Sequence, residues 1–136
     1  MTRLCCGLWP TPRGLVAAAV DPGAALIACE RLPAEDDEQL LWLSRLELRH
    51  GCTGVELVMI ERTARQEPLA PRALEIGYRL SVADEVIAQT VARAAWYRPA
   101  PRHLATVLAR MPRVRALSRS LRRAPLPPIP SQLRLF

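Results

Sequence analysis

The chain has 136 residues, half of them apolar, and a formal charge of +6. That suffices for one domain with a modest core and a tail. No apolar run approaches the ~20 residues of a membrane span, and Pro10 and Pro12 break the stretch a signal peptide needs; a cytoplasmic protein with no membrane partner is expected.

Residues 1–13, with two prolines and no periodicity, read as a flexible leader. Next, "LVAAAV" and "AALIACE" flank Asp21-Pro22-Gly23, where proline presets φ and glycine accepts a strained conformation. Leu15–Val20 and Ala25–Glu30 are therefore expected to form an antiparallel hairpin. "AEDDEQLLWLSRLELRHG" has acids in its first turn, Arg49 and His50 in its last, and Gly51 as a stop, which together mark a helix. Its leucines and Trp42 run almost all the way round, so deep burial is expected. "GVELVMIER" reads as a strand buried on both faces, as parallel strands are. Strand, helix and strand in this order indicate an α/β sheet.

Pro71 suits the first turn of another helix, and the pattern runs on to Tyr97, about 40 Å if unbroken. The S-x-x-D capping box at Ser81–Asp84 marks a break or restart. "YRPAPRHL" is a proline-limited loop or an edge strand. One or two short basic helices follow, interrupted at Pro112. From Pro125, four prolines in six residues leave an extended tail over 125–136. Cys5, Cys6, Cys29 and Cys52 lack CxxC spacing, so reduced thiols are expected, with Cys29 and Cys52 in the core.

Charge is distributed unevenly. There is no lysine. Residues 1–85 hold all thirteen carboxylates and nine arginines, a net of −4, whereas Val86 to Phe136 hold ten arginines and no carboxylate, a net of +10. Such a C-terminal half suits a nucleic-acid or other anionic partner, the rival being a solvated basic face that binds nothing. Arg110, Arg113, Arg115, Arg119, Arg122 and Arg123 are the expected DNA contacts. Phosphate contacts of this kind give salt-dependent affinity without base specificity.

Asp21 closes one strand and Glu61 another. Were those strands neighbours, the two carboxylates would share one edge and supply the hard oxygen ligands that Mg²⁺ takes before phosphodiester hydrolysis. The rival reading makes Asp21 a turn former and Glu61 a surface charge at a strand end. The stretch from Leu15 to Arg62, with "VDPG" and "VELVMIER", resembles the opening of the RNase H-like superfamily, nearest the RuvC-type Holliday-junction resolvases. There a strand ends in Asp-Pro-Gly, a second strand returns, and a later strand ends in a catalytic Glu. The resemblance implies an RNase H-like mixed sheet flanked by helices over 14–124, with Asp21 and Glu61 as catalytic and metal-binding residues. The family's remaining acids lie on a late helix, but this chain has none after Glu85. Asp84 and Glu85 are the remaining candidates, with His103 as a stand-in ligand or base.

"QLRLF" at 132–136 is similar to the bacterial sliding-clamp-binding motif, Gln-Leu-x-Leu-Phe. The likeness implies that Gln132 engages a polar pocket, that Leu135 and Phe136 fill an apolar one, and that Leu133 adds a lesser contact. A few anchors on a proline-stiffened spacer can bind usefully. The leading expectation is a clamp-tethered, nucleoid-associated DNA-processing protein of replication or repair, with Mg²⁺-dependent endonuclease activity if active. The alternative is a non-catalytic clamp-binding adaptor or regulator on the same scaffold; third comes a small DNA-binding module.

Overall fold

The computed structural model describes residues 3–52, 54–111 and 115–117. The segment expected to be a leader is instead β1 (Arg3–Thr11), in the interior of the sheet. Its prolines misled the sequence reading because a proline cannot donate to a ladder. Pairing with the neighbouring strand on one side stops at Leu8, so Pro10 has a ladder partner only on the other side. A proline is tolerated there.

The expected hairpin follows as β2 (Gly14–Val20) and β3 (Leu26–Pro33), which run antiparallel. After α1 (Asp36–His50) come β4 (Gly54–Ile60), α2 (Glu61–Gln66), α3 (Leu69–Ile76) and β5 (Arg79–Ala83). Then α4 (Glu85–Ala95), α5 (Pro101–Arg110) and the short β6 (Arg115–Leu117) complete the described chain. Among the described residues the strands form one mixed sheet in the order β3-β2-β1-β4-β5-β6. β1, β4 and β5 are parallel, and the other pairings are antiparallel.

The helical pattern expected from Pro71 to Tyr97, with a break or restart near Ser81, is in fact helix, strand and helix. Gly77, at φ 112°, ends α3 in the left-handed region, and Tyr78 N–H returns to the Ala73 carbonyl at 3.0 Å. Such a stop favours glycine. "RLSVA" then extends as β5. The restart lies where the capping box pointed, but Asp84 is the cap: its carboxylate accepts from Ile87 N–H at 2.9 Å. "YRPAPRHL" resolves into a loop and the start of α5, with Pro101 in its first turn.

Strand alternation sends side chains to two helical layers. Leu4, Cys6, Leu8, Ala17, Leu57 and Met59 meet α1 and α3 on one face. On the other, Trp9, Val16, Ala18, Val58 and Ile60 meet α4 and α5. α1 proves amphipathic rather than buried all round: Leu40, Leu43 and Leu46 are inside, whereas Leu48 is 84% exposed. Cys29 is exposed where a core position was expected, and Cys6 is the fully buried thiol. Burial raises its pKa, and the neighbouring Cys5 adds to the shift.

Gly7 determines how closely α5 can approach. A Cβ there would lie 2.0 Å from the Ala105 carbonyl oxygen and 2.7 Å from the Ala109 nitrogen. The helix therefore rests on bare backbone, with Ala105 and Ala109 buried at the contact. Arg110, at its C-terminal end, donates from Nε to the Ala24 carbonyl at 2.9 Å and ties α5 to the β2–β3 turn.

Candidate functional site

The strand directions separate the two carboxylates expected to act together. β2 runs against β1, so it finishes beside the start of β1: Val20 pairs with Cys5, and Cys5 pairs with Glu56 on β4. Asp21 lies one residue beyond that level. Glu61 lies five residues past Glu56 in the opposite sense, at the start of α2. At ~3.3 Å of rise per residue, Asp21 and Glu61 stand about 20 Å apart along the strand direction. One Mg²⁺ binds oxygens at ~2.1 Å, and paired ions sit ~4 Å apart, so no such centre spans these residues. The expected catalytic and metal pair is not formed. Nor does any group of three or more His, Cys, Asp and Glu suited to a metal ion occur among the described residues.

Each carboxylate has local work instead. Asp21 Oδ1 accepts from Ala25 N–H at 2.9 Å, closing a turn in which Ala24 holds φ 66°. It lines a cleft of about 330 Å³ with Arg3, Cys5, Glu56 and Arg110. The acid that shares this cleft with Asp21 is Glu56, which accepts from the Ser81 hydroxyl at 2.9 Å. Two arginines share that cleft, so its charge is mixed.

At the opposite sheet edge, parallel pairing of Ile60 with Ala83 brings Asp84 and Glu85 beside Glu61. The structure thus gathers the late acids with Glu61, although in working positions. Glu61 accepts from Arg65 at 3.2 Å, and the Arg62 guanidinium reaches both oxygens of Glu85 at 3.1–3.2 Å. Asp84 caps α4. The strand beside β4 at this level is β1, which contributes Trp9 and Pro10 rather than an acid. His103 stacks on Trp96 with ring centroids 4.2 Å apart, and its Nδ1 accepts from Ala100 N–H at 3.0 Å. It fixes a loop.

A second cleft, of about 310 Å³, opens between Arg3, Glu47, Tyr78 and Arg79. Tyr78 donates to Glu47 at 2.7 Å, and its phenol pKa is raised by burial first and by that carboxylate second. Tyr78 consequently stays protonated and serves as a hydrogen-bond donor.

The charge asymmetry becomes a surface. α4, α5 and their connecting loop cover one sheet face, and from Val86 to Met111 they carry Arg93, Arg98, Arg102 and Arg110, all exposed, with no carboxylate. Of the expected DNA contacts, Arg110 lies here, though it is already bonded to Ala24. Arg115 belongs to β6; Arg113, Arg119, Arg122 and Arg123 lie outside the described residues, as do Gln132, Leu133, Leu135 and Phe136. Sequence reasoning passed over Arg93, Arg98 and Arg102 individually. The signal was present in the lack of any acid after Glu85, which applies to them as much as to the later arginines.

No protein-family model matches this chain, and no characterised protein matches it either. Among the described residues no helix is long and apolar enough to cross a membrane.

Proposed function

We propose that this chain is a sliding-clamp-bound adaptor that works at DNA without cutting it, on an RNase H-like scaffold. The attachment half rests on Gln132-Leu133-Arg134-Leu135-Phe136, which fills every defining position of the clamp-binding pattern. The non-catalytic half is carried by one observation: Asp21 and Glu61 stand about 20 Å apart at opposite sheet edges.

The scaffold reading draws support from a mixed sheet with helices on both faces, in which an antiparallel meander is followed by a strand parallel to β1. Its departure from the RuvC-type resemblance is specific: Asp-Pro-Gly follows the second strand, and β1, next to Glu61's strand, has no acid at that level. Attachment to a clamp raises local concentration on DNA, so the arginine-rich layer need not bind tightly by itself.

The test uses purified bacterial sliding clamp as the probe. The intact chain is expected to bind, and Leu135→Ala with Phe136→Ala to weaken binding at least ~10-fold, because paired anchors dominate short-peptide affinity. Equal capture of both proteins would remove the attachment reading. With Mg²⁺ present, forked and branched DNA should remain intact. Cleavage that disappears in Asp21→Ala or Glu61→Ala would restore the nuclease alternative.

A further inference from the structure

We propose that the loop joining α4 to α5 is a stacking platform for single-stranded nucleic acid, centred on Tyr97 and Arg98. Tyr97 is 90% exposed, the most exposed large hydrophobic side chain among the described residues. The Arg98 guanidinium lies over its ring, 5.6 Å from the centroid, so the pair presents a planar, cationic surface. A solitary exposed tyrosine would mean little. Here the loop holding it is braced at both ends.

On one side Trp96 stacks on His103 at an interplanar angle of 5°; on the other, Pro99 and Pro101 restrict the backbone. The ring is therefore offered from a pre-ordered segment, which lowers the ordering cost of binding. Arg93 precedes the loop and Arg102 follows it, and neither has an ion-pair partner among the described residues. Arg102 also lines a cleft of about 160 Å³ with Arg31 and Glu30, so beside the platform the two cations share their cleft with one carboxylate.

The charge chooses the ligand class, and the aromatic chooses its form. Four arginines and no carboxylate from Val86 to Met111 call for a polyanion. A protruding ring adds affinity only where a base offers a free face, which duplex DNA denies and a single strand supplies. This inference rests on the nucleic-acid half of the proposed function and not on the clamp half.

The experiment is fluorescence anisotropy of labelled oligo-thymidylate, and of a duplex of equal length, with the full chain across a salt series and without clamp. Wild type should prefer the single strand. Tyr97→Ala should weaken oligo-thymidylate binding by about tenfold while leaving duplex binding and the salt slope unchanged, since stacking involves no counterion. Tyr97→Phe should retain affinity, and Arg102→Ala should reduce the slope by about 0.7. Unchanged binding by Tyr97→Ala, equal losses on both DNA forms, or no binding of oligo-thymidylate by wild type would each overturn the platform. Clamp capture of Tyr97→Ala, measured in parallel, reports the attachment reading separately.

Discussion

The two faces of the sheet are built and charged differently. α1 and α3 press leucines into one face (Leu40, Leu43, Leu46, Leu69 and Leu74). α5 covers the other through Ala105 and Ala109 resting on Gly7. The leucine layer carries acids outside, such as Asp36, Asp37 and Glu47; the alanine layer carries arginines alone from Val86 to Met111. The lesson concerns connectivity. Helices that precede β5 cover one face and those that follow it cover the other, so an imbalance along the sequence becomes an imbalance in space.

The comparison breaks most severely at Gly7. In Gly7→Ala the new methyl meets backbone atoms, which no side-chain rotation relieves, so α5 must lift. A loss of about 3 kcal/mol in urea denaturation is expected. If the midpoint hardly moved, the alanine layer would be looser than its geometry states.

On the leucine layer the corresponding change is Leu43→Ala, at 1% exposure. Here a cavity opens instead of a clash, and about 2–3 kcal/mol should be lost. Comparing m-values for the two variants would show whether the layers unfold together, as one cooperative unit requires.

A smaller effect should follow Asp84→Ala, which removes the cap of α4. About 1 kcal/mol is expected, with Asp84→Ser recovering most of it. Hydrogen exchange should speed up at Ile87 and its neighbours before it does in α1.

The smallest effect concerns the acidic face. The Arg72 side chain hydrogen-bonds to both Asp36 and Asp37, joining α3 to α1. That hydrogen bond is the main cause holding the Asp36 carboxyl below its usual pKa. A lowered folded-state pKa stabilises above the unfolded value near ~4 and loses that contribution as pH falls through the folded value. Arg72→Ala should therefore be slightly less stable than wild type at neutral pH, and the two should converge in acid. A gap that widened on acidification would reverse the sign of this account.

Some of this architecture was legible from short stretches. The Asp-Pro-Gly hairpin, the limits of α1, the strand through "VELVMI" and the break near Ser81 follow from turn chemistry, caps and periodicity, which act within a few residues. Burial was less so: α1 looked apolar on all sides, yet Leu48 projects outward, because which stripe faces the sheet depends on where the helix docks. The sequence alone also determined the segregation of charge, since no fold can move a carboxylate into a stretch that has none.

Only the tertiary structure decided the fate of the carboxylate pair. With the hairpin taken as the first two strands, Asp21 and Glu61 close neighbouring strands and share an edge. Residues 3–11 enter between those strands as β1, and β2, being antiparallel to it, ends at the other edge. Which end of a sheet a residue reaches depends on the direction of every strand between it and its partner. Strand direction is set by contacts across the sheet, as between Cys5 and Glu56, and no local pattern around Asp21 encodes them.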